Sequence, residues 1–467
     1  MEELRTWDAV ATAAAIDAGD VSTAEVVAAA VDRAHEADHL NAVAAPLFAN
    51  ARARATHGVH GRLGGVPTAV KEMFGIAGAP LRHGSRAWEG HRAEHTEAAT
   101  QQHLDTGLVA IATTTMSEFG LTPTAEPLGY APTHNPWLWD HSPGGSSGGS
   151  AALVAAGVVP IAMAGDGGGS IRIPAAACGL VGLKPSRGRM AGLGELDRAP
   201  VAVAVPGVVT RTVRDLAAYH AAAEHALPSP ADLPPIGDVT GPSSRRLRIG
   251  VTVDAPNGAP VDREVAAATR TAADALADAG HQVQDVTYPH GQGFEEAFIA
   301  YFGILAAGSA VLGRQALGRD FDAALLDPWT RQLGAHGKRN AWRLPLILRE
   351  LSRGTVANRE VHAAVDVVLT PTTAHVAPPH GHLSPTVPFD LHLERLRRYM
   401  TFTPLHNVAG TPAVSLPGGV SAAGLPIGLQ LAALPGEERM LLELAFELEE
   451  LRPWPQLAPA AGAAPAS

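Results

Sequence analysis

A single cysteine, Cys178, stands in the chain. That excludes an intramolecular disulfide and any CxxC zinc site. Charge is sparse too. Asp, Glu, Lys and Arg make up 17% of residues against 46% apolar, a balance that suits a large, well-covered interior. Acids outnumber bases 46 to 35, for a net charge of -11. No run of Lys or Arg offers a footprint for phosphates, so nucleic acid is not an expected partner and a small neutral substrate is. The first ten residues are acidic and polar, without the basic segment and apolar stretch of a secretory signal. The longest bland run, 151–165, falls short of the ~20 residues a membrane helix needs and contains Gly157 and Pro160. These absences lead us to expect a soluble, cytoplasmic protein with no membrane association, active as a monomer or a homodimer.

What is present is strand-helix alternation. Ser22 and Glu25 have capping-box spacing, and Val26, Val27, Ala30, Val31 and Ala34 mark one helical face. Gly19 should end the helix before it. Residues 65–70 read as a buried strand running into Lys71, 97–105 as a helix and 108–112 as a strand. Farther on, 247–253 reads as a strand, 264–279 as a helix and 282–286 as a strand, and the second half of 361–370 as another. The pattern predicts an α/β fold with a mostly parallel sheet. The Pro/Ser-rich segment 227–244 reads as a linker between two halves of that sheet. We read 1–457 as one domain with a catalytic core at 60–220 and a variable substrate side at 290–360, and 458–467 as a disordered tail.

Two segments are dense in glycine and serine: GGSSGGS at 144–150 and GDGGGSIRIPAAACGLVGLKP at 165–185. Each glycine within regular structure costs about 0.5–1 kcal/mol relative to alanine, so some other demand must require them. An oxyanion hole is such a demand, because several backbone N–H groups must converge on one oxygen with no side chain in the way. Gly167, Gly168 and Gly169, followed by Ser170, have that pattern. One such donor is worth about 2.7–4 kcal/mol of barrier. Ser146 and Ser170 lie 24 residues apart. The intervening stretch can hold a helix and a strand, which would return both serines to the same end of the sheet. A serine needs a base, and a lysine can be one if burial keeps it neutral. Lysine is scarce here, and Lys71 closes an apolar strand.

These segments, with the upstream GVPTAVKE, resemble the signature of the amidase signature family. MSEFG at 116–120, Asn135-Pro136-Trp137, DVVLTPTT at 366–373, Asn407, Gly410, Pro412 and GLPIGLQL at 424–431 extend the likeness over most of the chain. Residues 290–360 match least. In layout the chain is similar to the nylon-oligomer (6-aminohexanoate cyclic-dimer) hydrolases. The resemblance implies an amidase signature fold, a large mixed central sheet covered on both faces by helices. It implies Lys71 as base, Ser146 as a bridging serine held by a cis peptide bond, and Ser170 as nucleophile, with the amides of 167–170 as oxyanion hole. It also implies supporting roles for Ser147, Asp166 and Arg172, and Gly120, Leu121 and Thr122 lining the acyl pocket. Glu72, Thr113, Ser117 and Gly167 depart from the family's commonest residues without removing a catalytic group. The implied activity is hydrolysis of a carbonyl C–N bond in an amide, anilide or carbamate (urethane), with no metal and no organic cofactor.

Rival readings use some of the same residues. Related domains serve as the ammonia-generating subunit of tRNA-dependent amidotransferases. GxSxG occurs at 144–148 and 145–149, as in Ser-His-Asp esterases, but the required preceding strand is not expected in the Pro/Trp-containing stretch 135–143. His91 to His95 spells HxxEH, a zinc pattern that a histidine-rich chain produces by chance. Cys178, among small residues and with no neighbouring base, reads as core. Trp137 and Trp139 read as covers over the serine loop. Phe294, Phe298, Tyr301, Phe302, Trp329 and Trp342 suit a hydrophobic lid or plain core equally.

Overall fold

The computed structural model describes residues 3–229, 231–287, 292–316 and 321–459. The strands are β1 (Val43–Pro46), β2 (Pro67–Lys71), β3 (Val109–Thr114), β4 (Ile161–Asp166), β5 (Val181–Lys184), β6 (Val205–Thr210), β7 (Arg248–Val251), β8 (Gln282–Asp285), β9 (Val367–Pro371), β10 (Ala413–Val420) and β11 (Pro426–Ala432). They form an 11-stranded sheet in the order β1-β3-β2-β4-β6-β5-β10-β11-β9-β7-β8.

The expectation of a mostly parallel sheet is corrected here: the sheet is mixed. Parallel pairing is confined to β3-β2-β4 on one side and β9-β7-β8 on the other, and every pair from β4 through to β9 is antiparallel. The connections explain it. Parallel neighbours need a crossover, usually helical, whereas β10 and β11 are joined by a tight turn. β5 returns to β6 with no α-helix between them, so β6 slips antiparallel between β4 and β5. Segment 227–244 does run between the two halves, leading from the β1–β6 side to β7.

Both faces are covered, as the strand period requires. On β6, Val208 enters one large apolar cluster and its neighbour Val209 the other; on β4, Ile161 and Ala162 divide in the same way. Each fully buried valine or isoleucine contributes about 1.5–3 kcal/mol. One cluster holds Val27 and Val31 from helix Thr23–Glu36 together with Leu153 from helix Gly148–Ala155. The other holds Leu216, Leu276 and Leu444 from helices Val213–Ala226, Arg263–Asp278 and Glu438–Leu451. The Ser22/Glu25 capping box is formed, with the Ser22 N–H donating to Glu25 at 2.8 Å and the Glu25 N–H to Ser22 at 3.2 Å. Gly19 caps the preceding helix at φ 78°. The tail expected to be disordered lies outside the described residues from 460 onward. Ala458 is buried, its N–H donating to the Ala155 carbonyl at 2.9 Å.

Candidate active site

β2 lies between β3 and β4 and is buried along its whole length, so its last residue emerges inside the molecule. That residue is Lys71. Its Nζ donates to Ser146 Oγ at 2.7 Å and to the Gly165 carbonyl at 3.4 Å. Loss of hydration pulls its pKa down to about 7, against the opposing attraction of Asp166. Close to neutral pH, a large share of this amine therefore carries no charge. Ser146 follows a cis peptide bond from Gly145 and leads into helix Gly148–Ala155. Gly145 is pressed against the backbone of Thr124, where a Cβ would collide. Next to it, Ser147 Oγ donates to the Gly165 carbonyl at 3.3 Å and accepts from the Gly165 N–H at 3.3 Å. The two glycine-rich segments are thereby fastened together.

Between β4 and helix Arg172–Cys178 the chain makes the loop that carries Ser170. Its anchor is a buried ion pair. Asp166 accepts from Arg172 Nε and Nη2, both at 2.9 Å, and from Asn407 Nδ2 at 2.8 Å. Arg172 uses its remaining hydrogens on the Thr403 carbonyl at 3.0 Å, Gln430 Oε1 at 2.7 Å and Asn407 Oδ1 at 2.7 Å. Burial alone would raise the Asp166 pKa; Arg172 and Asn407 overcome it and hold the carboxylate well below its usual range. Thr403 Oγ1 donates to the Gly168 carbonyl at 2.6 Å.

This anchoring changes the set of free amides. The Gly169 N–H donates to Asp166 Oδ1 at 2.7 Å, so it holds the loop and is spent. Gly169 is also at φ 134°, with Thr403 Oγ1 2.5 Å from where a Cβ would stand. The amides of Gly167, Gly168 and Ser170 engage no partner among the described residues.

Ser170 stands where two cavities meet. The wider one also reaches Lys71, Ser146 and Gly167; the narrower is walled by Thr122, Phe298, Trp329 and Met400. Gly120, Leu121, Ser170 and Phe302 line both. At Gly120 a side chain would crowd the first serine, its Cβ falling 3.2 Å from Ser146 Oγ. Leu121 is held through its carbonyl by Trp329 Nε1 at 2.9 Å, and Thr122 Oγ1 lies 3.2 Å from His392 Nε2. The aromatics of 290–360 divide among several jobs. Phe298, Phe302 and Trp329 face the cavities, the Tyr301 hydroxyl ties down Val201, and Trp342 is 78% exposed.

Other candidate residues go elsewhere. No strand leads into Ser146 or Ser147, since β3 ends at Thr114, so the GxSxG segment is not a strand-to-helix elbow. His91 is stacked on Trp88 with ring centres 3.8 Å apart. Burial pushes the Cys178 thiol pKa up, and its Sγ packs 3.4 Å from the Pro143 carbonyl. Trp137 donates to the Cys178 carbonyl at 2.8 Å, and Trp139 stacks on His134. Sequence reasoning missed Thr403, Gln430 and a second buried lysine, Lys184, whose Nζ donates to the Pro185 carbonyl at 2.7 Å. The one available signal was a polar residue inside an apolar strand, as at Gln430 in GLPIGLQL.

Comparison with known proteins agrees with the motifs. The model of the Amidase family matches residues 25–442. The chain is 46% identical over 462 residues to the putative amidase AmiC of Mycobacterium tuberculosis, covering 98% of this chain and 97% of the relative. It is 34% identical over 483 residues to the 6-aminohexanoate-cyclic-dimer hydrolase of a Pseudomonas species, covering 97% of each. The solved structure of 6-aminohexanoate cyclic dimer hydrolase complexed with substrate superposes with a TM-score of 0.89 at 31% identity, over 97% of this chain and 98% of that one.

Proposed function

Starting from the fact that this chain belongs to the amidase family and is an amide-hydrolysing enzyme, we propose that it cleaves the carbonyl C–N bond of a small molecule through an acyl-enzyme on Ser170. Lys71 is the base and Ser146 the relay. The observation that carries this reading is the buried amine of Lys71, 2.7 Å from Ser146 Oγ, at the wall of the cavity that Ser170 also lines.

The chemistry follows from proton bookkeeping. Neutral Lys71 takes the Ser146 proton as Ser146 takes that of Ser170, and the Ser170 oxygen adds to the carbonyl carbon. The oxygen that becomes negative is met by the amides of Gly167, Gly168 and Ser170. They cost no reorganisation because Asp166, Arg172 and Thr403 already hold the loop. Collapse breaks the C–N bond as Ser146 hands a proton to the departing nitrogen and recovers one from Lys71. Water then enters by the reverse relay and releases the acid.

The substrate side is apolar on both flanks of Ser170, through Met73, Leu193 and Phe302 on one and Phe298, Trp329 and Leu333 on the other. We therefore place the substrate among neutral amides, anilides and carbamates with hydrophobic substituents. The cyclic amide named for the relatives is a small molecule of the same bond type. Residues 1–457 act as one domain in this reading, because a single sheet spans β1 to β8 and both of its halves supply the site.

The test is a panel of aliphatic amides, anilides and carbamates, given to the chain purified alone, without glutamine or tRNA. Ser170→Ala should lose at least about 10³-fold in turnover. Product release by that variant at the wild-type rate would remove Ser170 from its role. Failure of the wild type on every member would remove the substrate class.

A further inference from the structure

The narrow cavity beside Ser170 is not the end of the space. Behind it lies a second narrow cavity, and behind that a wider surface groove. The three form a series. The first and second share the side chains of Phe298, Ile299, Leu396 and Met400. The second and the groove share Asn257, Glu295 and Arg397. The long helix Gln292–Ala316 and the helix Phe389–Tyr399 contribute side chains to all three.

The inner partition is apolar, and its methionine is the side chain best suited to moving aside. The outer partition is polar and tied like a bolt. Asn257 Nδ2 donates to Glu295 Oε2 at 3.1 Å and to the Arg397 carbonyl at 3.0 Å, while its Oδ1 accepts from Thr401 Oγ1 at 3.1 Å. Arg397 Nε faces Glu295 Oε1 at 3.5 Å, with the two side chains 37% and 20% exposed. At that length the contact is not a hydrogen bond, and the buried Arg397 Nε has no hydrogen-bond partner among the described residues, so this ion pair adds little stability.

We propose that these cavities are one passage from the surface to Ser170, closed by the Asn257–Glu295–Arg397 bolt, and that it takes an extended apolar chain on one side of the scissile carbonyl. The inference rests on Ser170 as the reacting centre, and it deepens the substrate class: one arm of the substrate is a linear hydrocarbon chain longer than the pocket beside Ser170. The pocket beside Ser170 takes the first carbons of that chain. A longer chain displaces Met400 and Leu396, enters the second cavity and stops at the bolt; its end continues into the groove only when the bolt is opened.

The experiment measures binding on the Ser170→Ala protein, so that the ligands stay intact. Two homologous series serve, N-acyl anilides and N-alkyl amides, each running from butyl to dodecyl. With the bolt closed, affinity should rise with chain length and then level off. In Arg397→Ala and in Glu295→Gln it should keep rising for the longest members of one series, by less than the roughly fourfold per methylene of full burial, because the groove is lined largely by charged side chains. Butyl binding should be unchanged. Glu295→Gln keeps a partner for Asn257 and so serves if Arg397→Ala fails to fold. Thr401→Leu added to Arg397→Ala narrows the second cavity without touching the first and should bring the levelling-off back; its lost bond to Asn257 changes nothing there, because the bolt is already open. An identical length profile in the closed and both opened proteins, or no dependence on length at all, overturns the passage. Hydrolysis of the same compounds by the wild type judges the functional reading separately, because binding to the serine-less protein does not need the chemistry to be right.

Discussion

The two sides of Ser170 are built by opposite means. On the loop side, between β4 and helix Arg172–Cys178, polar groups are tied to one another: Asp166, Arg172, Asn407, Gln430 and Thr403 form one buried network. On the helix side, Phe298, Ile299, Phe302, Trp329 and Met400 present an apolar wall held mainly by packing. Hydrogen bonds fix atoms to within tenths of an ångström, which suits donors that must meet a developing charge. Packing tolerates swaps of similar volume, which suits a surface that sorts substrates by shape. On the proposed function, rate is set on the loop side and selectivity on the helix side, and the variants below should separate the two.

The sharpest break is expected at Lys71. Lys71→Met keeps the volume and the burial but removes the amine from Ser146 Oγ. Turnover on the preferred substrate should fall by about 10²–10⁴-fold, while the ranking of substrates stays as it was. The wild type should also show a single acid limb in kcat/KM. The amine must be neutral to act, and its pKa is drawn down to about 7 by burial. Activity should therefore fall about tenfold per pH unit below that value and level off above it. A pH–rate profile of the two proteins checks this; an acid limb that survives in Lys71→Met would mean another group is the base.

A smaller and different effect is expected across the junction. The Phe302 ring separates the two cavities and packs on Phe298 with ring centres 4.6 Å apart. Phe302→Ala should merge the cavities and shift the ratio of kcat/KM between bulky and small amides by about tenfold, in the range that a few methylenes command. The pH profile should keep its limb. A panel run at one pH beside a profile on one substrate tests both halves, and a moved limb with unmoved selectivity would reverse the assignment of the two sides.

The same division decided what could be read from the sequence. The loop side was legible because its devices are local. Glycines crowd around two serines, and a helix and a strand between them return the chain to its starting point. Even there, Gly169 was read as an oxyanion donor, because nothing in the letters shows that Asp166, three residues earlier, takes its N–H. Thr403, Asn407 and Gln430 reach Arg172 from 231, 235 and 258 residues away, a distance that no motif spans. Parallel and antiparallel neighbours also looked alike, since strand-helix alternation does not reveal that β6 inserts between β4 and β5. On the helix side the aromatics of 290–360 have the same periodicity whether they fill a core or wall a cavity. Phe294 became core, Phe302 a partition and Trp342 surface.

The smallest effect on turnover, and the closest control for Lys71, is expected at the other buried lysine. The chain has three lysines, and only Lys338 is exposed. Burial lowers the Lys184 pKa to about 7, as it does for Lys71, here with Arg172 pushing the same way. But Lys184 Nζ donates to the Pro185 carbonyl, and Lys184 lines neither cavity at Ser170. In the unfolded chain either amine would hold its proton up to about pH 10.4. Between about pH 7 and 10 the unfolded state thus binds a proton that the native state has given up, so stability rises with pH across that window. It is lost again as pH falls toward 7, by on the order of 4 kcal/mol for each group. Lys184→Met and Lys71→Met should each remove one such contribution, so that urea unfolding at pH 7 and pH 9 shows a flatter pH dependence in both. Turnover of Lys184→Met should stay within about twofold of the wild type and keep the acid limb, because this amine hands no proton to a serine. If Lys184→Met erased the limb instead, the titration seen in the rate would belong to the buried network around Arg172, and the base would have to be sought there.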